Sequence, residues 1–277
     1  VSASGALGLI AGQGSLPIAV ARSARAHGRR VAAIAFHGQT DPGIADGVEV
    51  TWLHPGEVAA ALGALRAAGV REAVMVGKVP KARLLAEPAG LRPDAEALRL
   101  LASLRDRRDD SILGALADFL EEQGIRLLPQ AELLPELVGG EGVLGRIEPS
   151  AAQRADVAFG LPLARVLAGL DIGQTIVVKD GTVLAVEAIE GTDAAIRRAG
   201  ELAAGGCVIK VAKPSQDPRF DVPTIGPETL AAMRDARAAL LAYEAGRTLV
   251  VDREPLVARA DTLGIALLGV PAEEGVG

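Results

Sequence analysis

Apolar positions along this chain fall into two patterns, short continuous runs and longer stretches in which Ala, Leu, Val and Ile recur at helical spacing. The runs Ala6–Ala11, Arg30–Phe36, Val48–Leu53 and Ala73–Val76 read as strands. Between them, Pro17–His27 and Gly56–Ala68 read as helices. Helical patterns at Asp94–Arg105 and Ser111–Gln123 follow, then a short strand at Ile125–Leu128. Strands separated by helices predict a mainly parallel sheet covered on both faces.

The pattern lapses between Pro135 and Pro149 into the Gly-rich run Val138-Gly-Gly-Glu-Gly-Val-Leu-Gly145. We read residues 1–134 as one domain, 135–149 as a linker and 150–277 as a second domain. The second part opens with a helix over Ser150–Leu167. Thr175–Lys179 and Val183–Ala188 flank Asp180-Gly181, a pair that supplies the positive φ of a hairpin turn. A helix at Asp193–Ala204 and a strand at Cys207–Ala212 come next. A helix over Pro227–Ala242, a strand at Thr248–Val251, a helix at Pro255–Leu263 and a strand at Ile265–Leu268 close the chain. The expected fold class is α/β, an N-terminal Rossmann-like parallel-sheet domain followed by a C-terminal mixed α/β domain.

The 277 residues are 49% hydrophobic but only 2% aromatic, so aliphatic side chains must build the core. A net charge of −6, with few aromatics to stack on bases, argues against nucleic-acid binding. The single Cys207 lies in an apolar run and reads as a buried core thiol, with no disulfide framework. His27, His37 and His54 are too scattered in sequence to read as a metal triad. No stretch has the roughly 18 apolar residues that a membrane span requires. The expectation is a cytoplasmic protein, with peripheral membrane contact and homodimerisation left open.

Chemistry concentrates in Lys213-Pro-Ser-Gln-Asp-Pro-Arg-Phe-Asp221-Val-Pro-Thr-Ile225, a polar loop fixed by three prolines and launched from a strand end. Lys213 and Arg219 suit phosphate, and Asp217 and Asp221 suit a divalent metal or a water proton. An Asp- and Pro-rich turn with surface ion pairs would look similar. Gly12 and Gly14 match the first two glycines of a dinucleotide fingerprint, but Pro17 stands at the third. The next strand ends in Phe36-His37-Gly38, where an NAD site would place an acidic residue. The turn at Gly12, Gly14 and Ser15 still offers backbone N–H groups to a phosphate or sugar. In Glu187-Ala-Ile-Glu190-Gly191-Thr192-Asp193, strand alternation leaves Glu187 no need to be buried, and Thr192 or Asp193 can cap the next helix. Alternatively Glu190, Thr192 and Asp193 meet a phosphate and its metal. Asp171 and Gln174 precede the hairpin as turn residues, and Arg197 and Arg198 read as a solvated face from which one could reach an anion. The cluster Arg105-Asp-Arg-Arg-Asp109-Asp110-Ser111 places Asp110 as a helix N-cap.

Taken together, Gly173-Gln174, Glu187-Ala-Ile-Glu-Gly-Thr-Asp193, the Lys213–Gly226 run and Ala11-Gly-x-Gly-x-Leu-Pro17 closely resemble one enzyme family. It is the metal-dependent UDP-2,3-diacylglucosamine pyrophosphatase of lipid A biosynthesis, of the type that is not calcineurin-like. The resemblance runs from near the first residue to the last strand. It implies two domains holding an acylated UDP-sugar, and hydrolysis with Mg²⁺ to UMP and the sugar-phosphate glycolipid 2,3-diacylglucosamine 1-phosphate. The family's essential aspartate maps onto Asp221. With that resemblance, Asp221, Asp217, Lys213 and Arg219 are the expected catalytic residues, Asp221 and Asp217 also serving the metal. Gly12, Gly14, Ser15, Gln174, Glu190, Gly191, Thr192, Asp193, Gln216 and Thr224 are the expected substrate-binding positions. The rival readings are a nucleotide-sugar oxidoreductase using the glycine turn and a non-catalytic lipid or nucleotide carrier.

Overall fold

A computed structural model describes residues 5–77, 91–104, 109–214, 217–219 and 222–272, with backbone alone at 109–111. Two compact units divide the chain. The first runs to Leu134 and also takes in the short stretch that begins at Asp217; the second runs from Pro135 and resumes at Val222.

The first unit is an open parallel sheet. Its strands are β1 (Leu7–Ala11), β2 (Val31–Phe36), β3 (Glu49–Leu53), β4 (Glu72–Val76) and β5 (Arg126–Leu127), in the order β3-β2-β1-β4-β5. Every pairing is parallel, with β1 in register against both β2 and β4. Helices α1 (Leu16–Ala26), α2 (Val58–Ala67), α3 (Ala95–Ser103), α4 (Asp109–Glu122) and α5 (Gln130–Leu133) connect or follow the strands. Burial on both faces explains why β1, β2 and β4 are almost entirely apolar. Strand order reverses at β1 and β4, so the crevice of this sheet opens at their carboxyl ends.

The second unit is built on a six-stranded mixed sheet in the order β6-β13-β11-β9-β7-β8. These strands are β6 (Gly142–Leu144), β7 (Thr175–Lys179), β8 (Thr182–Val186), β9 (Cys207–Lys210), β11 (Leu240–Glu244) and β13 (Ala266–Val270). The central three, β9, β11 and β13, run parallel, while β6 and β7 run antiparallel to them. A separate parallel pair joins β10 (Thr224–Ile225) to β12 (Leu249–Val250). Helices α6 (Ala151–Gly169), α7 (Thr192–Leu202), α8 (Pro227–Asp235) and α9 (Arg253–Leu263) complete the unit. Two apolar layers cover the sheet, one around Val208, Leu241 and Leu267, the other around Ile209, Ala242 and Leu268.

Asp180 and Gly181 do form the hairpin turn, with φ of 50° and 70°. Buried Asp156 of α6 pins that turn by accepting from both of its backbone N–H groups, at 3.0 and 2.8 Å. Ser150 and Gln153 close a reciprocal capping box that starts α6. One expectation fails. The helix read over Pro227–Ala242 stops at Asp235, and Leu240–Glu244 is instead β11, paired on both sides and buried throughout. Arg237 turns the chain with a φ of 53°, and the Ala238 N–H closes the helix onto Met233 O. Ala and Leu are strong helix formers and no Gly or Pro marks the stop, so local preference hides a strand that the central sheet position imposes.

Candidate active site

The carboxyl edge of the first sheet carries the glycine turn. After β1, Gly12 N donates to Val76 O of β4 at 2.8 Å, tying the turn to the switch point. Gly14 is exposed with φ 104°, a conformation that costs other residues strain, and Pro17 lies in the first turn of α1. Ser15 is the N-cap of α1, yet its hydroxyl makes no capping bond. Gly12, Gly14 and Ser15 therefore lie together in one turn at a helix start. Beside them, buried Gln130 donates Nε2 to Met75 O of β4 at 2.7 Å, and its Oε1 is buried without a donor.

Part of the polar loop sits on that edge. Gln130 N donates to Pro218 O at 3.1 Å. Arg219 grips both oxygens of Asp217, with Nε 3.0 Å from Oδ1 and Nη2 2.7 Å from Oδ2. Those bonds hold the Asp217 carboxyl below the usual carboxylate range. Arg219 also meets Glu121 at 3.0 Å and Asp118 at 4.0 Å, both on α4. A phosphate seeking Arg219 would therefore compete with three carboxylates. Gln216 and Asp221 lie outside the described residues, as do residues 105–108 of the Arg105–Ser111 charge cluster. Asp110 is not the first residue of its helix, because Asp109 already belongs to α4.

In the second unit, topology gathers polar groups at one sheet edge. The carboxyl ends of β8, β9 and β11 and the amino end of β7 all point there, and Thr175 pairs directly with Lys210. Lys210 is 3% exposed, with Nζ 3.0 Å from Thr224 O and 3.4 Å from Thr192 Oγ1. Thr192 Oγ1 donates to Glu187 Oε1 at 2.9 Å. Glu187 is itself buried, and its second oxygen has no donor. The same holds for Gln174 Oε1. Gly173 makes this packing possible, since a Cβ there would run into Glu187 O.

Three expectations change here. Glu187 is buried: it shares a face with buried Ala185, its N–H donates to Thr175 O at 2.8 Å, and Thr192 binds its carboxylate. Thr192 does not cap α7; its hydroxyl faces Glu187 and Lys210, and Gly191, with φ 84°, is the N-cap. Asp193 falls in the first turn of α7 and is not its cap. Glu190 turns back to accept from Ala188 N at 3.1 Å and from Arg198 at 2.7 Å. Its own backbone N–H and then Arg198 hold its carboxyl below the ordinary range. Lys213 reaches Asp171 at 2.8 Å, so Asp171 is an ion-pair partner as well as a left-handed turn residue with φ 57°.

Lys210 escaped the sequence reading because it ends an otherwise apolar strand. Glu244, at the end of β11, escaped for a different reason, lying just past the misread helix in a stretch read as no element. It is 3% exposed, accepts from Arg165 Nε at 2.8 Å, and accepts from Ala212 N at 2.9 Å. It therefore fixes the point from which the polar loop departs. A charged residue closing an apolar run beside Lys213 was the available signal for Lys210. Cys207 is buried and free, as expected, and burial followed by Asp156 pushes its thiol up to about 12.

Both units are α/β, one with a glycine turn at the switch point of a parallel sheet, the other with a buried carboxylate–lysine cluster at the edge of a mixed sheet. The family models for the LpxI N-terminal domain and the LpxI C-terminal domain match residues 6–137 and 140–268. The chain is 38% identical over 280 residues to UDP-2,3-diacylglucosamine pyrophosphatase LpxI of Caulobacter vibrioides, covering 97% of this chain and 98% of that protein. This chain belongs to the LpxI family. Among solved structures, the crystal structure of gox2253 aligns over 95% of this chain and 84% of its own, at 14% identity and a TM-score of 0.30, too low to support any argument.

Proposed function

We propose that this protein hydrolyses the pyrophosphate bond of UDP-2,3-diacylglucosamine to UMP and 2,3-diacylglucosamine 1-phosphate in lipid A biosynthesis. The observation that carries the reading is the kinship over nearly the whole of both chains with a pyrophosphatase of that name. The chemistry of the residues agrees. Water attack on a pyrophosphate needs an oriented nucleophile and cations for the developing charge. Asp221 is assigned to orient water or hold metal, with Asp217 as second carboxylate. Lys213 and Arg219 are assigned to phosphate oxygens, and buried Lys210 joins them as a third cation.

A hard divalent ion fits the donor set. Asp221 and Asp217 offer oxygen donors only, and among the described residues no cluster of three His, Cys, Asp or Glu forms a closed site. One or two carboxylates completed by water and substrate phosphates is the usual way Mg²⁺ is held. Mg²⁺, when bound, would neutralise charge on the phosphate oxygens. No described helix is long and apolar enough to cross a membrane. Phe159, Leu163, Val166 and Leu170 nevertheless expose an apolar ridge along and just past α6. That ridge supports peripheral contact with the inner-membrane surface, where a diacylated product would be delivered.

Purified protein with Mg²⁺ is expected to release UMP from UDP-2,3-diacylglucosamine and to lose that activity after exhaustive EDTA treatment. Activity unchanged by EDTA removes the metal. Binding without UMP release supports the carrier, and saturation by NAD(H) without hydrolysis supports the oxidoreductase. In ¹⁸O-water the label is expected in the sugar 1-phosphate, as attack at the sugar-side phosphorus requires. Label in UMP reverses that polarity.

A further inference from the structure

Two of the three histidines and the only tryptophan in this aromatic-poor chain meet at one place. The His37 ring lies 5.8 Å from Trp52 and 4.9 Å from His54, centroid to centroid. His37 immediately follows β2, Trp52 is the penultimate residue of β3, and His54 immediately follows it. All three therefore stand at the carboxyl edge of the parallel sheet, where open α/β sheets bind ligands. Core packing does not explain them, because His37 is exposed and Trp52 and His54 are only partly covered.

The turn after β2 is held firmly. Thr40 Oγ1 donates to Ala11 O at the end of β1 and accepts from Phe36 N at 2.9 Å. This brace fixes the His37–Thr40 segment directly beside the Gly12–Ser15 turn. Within it, the side-chain oxygen of Gln39 is buried with no donor. A buried acceptor left unpaired is costly, and a ligand N–H or O–H at that position would relieve it.

We infer that the His37–Trp52–His54 cluster is the platform for the uracil ring of the substrate, with Gln39 as its hydrogen-bonding partner. The inference rests on the pyrophosphatase reading and gives its nucleotide a location and a direction. Strands lie about 4.8 Å apart, so the ends of β1 and β3 are separated by about 10 Å. That is the scale of a nucleoside monophosphate from phosphate to base. A phosphate at the glycine turn therefore puts the base over β2 and β3, and puts the anhydride on the β4 side with Gln130 and Pro218. Histidine and tryptophan rings stack on any base. Selectivity falls to Gln39, since uracil offers an N3–H donor where cytosine offers an acceptor.

Trp52 is the only indole, so its emission reports this site without labelling. Titrating the full chain with UMP is expected to quench or shift Trp52 emission saturably. CMP should bind more weakly, and ribose 5-phosphate should leave the emission unchanged. His37→Ala is expected to weaken UMP roughly five- to a hundredfold, the loss typical of one stacking partner, at unchanged melting temperature. Gln39→Leu should narrow the preference for UMP over CMP. UMP binding detected by equilibrium dialysis but silent at Trp52 and indifferent to His37→Ala overturns the inference. So does an absence of UMP binding in protein that hydrolyses UDP-2,3-diacylglucosamine. Failure of hydrolysis itself overturns the pyrophosphatase reading, and the emission titration distinguishes the two failures.

Discussion

The two sheets of this protein offer opposite kinds of surface at their carboxyl edges. The first presents main-chain N–H groups, rings and a glycine turn, with few buried charges. The second buries Lys210, Glu187 and Glu244 at 3, 8 and 3% exposure and ties them to threonines, an arginine and loop backbone. Burying charge is expensive unless partners and use are found for it. The contrast is one of burial: at the first edge Asp217 and Arg219 pair with each other and with Glu121 near the surface, whereas at the second the charges are held inside.

The largest expected effect that bears on this comparison is that of Asp221→Ala. It is expected to lower kcat by roughly 10²–10⁴, the usual loss for a general base, while UMP affinity measured at Trp52 stays near wild type. A fall in UMP affinity with kcat intact would make Asp221 a binding residue and not a catalytic one.

A smaller effect sharpens the place of the polar loop. Because the Arg219 bonds lower the Asp217 pKa in the folded state, that state binds fewer protons than the unfolded chain across the interval between the two values. The pair's stabilisation is complete above the ordinary carboxylate value of about 3.9 and is lost as pH falls through the lowered one. Asp217→Asn should therefore melt about 1–4 °C below wild type near neutrality, and the gap should close on acidification below about pH 4. A gap independent of pH would mean that the ion pair is not its source.

The smallest expected effect concerns Cys207. Buried, with its thiol pushed up to about 12, it should resist maleimide in the native protein at pH 7 and react on unfolding. Reaction at native rates would show that the β9 region opens.

Elements with a clean period were legible in the sequence. The β1–α1 turn, the Asp180-Gly181 hairpin and the Ser150 helix start each carry a local chemical signature, and each stands in the structure. The β11 strand was not legible, because Leu240, Leu241 and Ala242 are good helix formers whose strand state comes from neighbours distant in sequence. The site divides the same way. Motif residues could be read in order, but Lys210 beside Thr192, or His37 beside His54, is a consequence of strand register that no spacing encodes. The engagement of Arg219 by Asp217, Glu121 and Asp118 was equally hidden, since two of those partners lie about a hundred residues away.

The stretch from Asp217 that belongs to the first unit, although encoded inside the second, has a consequence for inheritance. A gene fragment ending near Leu134 would lack the backbone carbonyl that Gln130 binds and the guanidinium that meets α4. A fragment beginning at Pro135 would carry that stretch with nothing to dock on. No single crossover can separate two such units cleanly, so recombination that swaps one for a foreign counterpart must preserve a matching pair. Lineages of this protein should accordingly transmit both halves together, and chimaeras joined near Leu134 should work only when Asp118, Glu121 and Gln130 come from the same parent as Asp217 to Arg219.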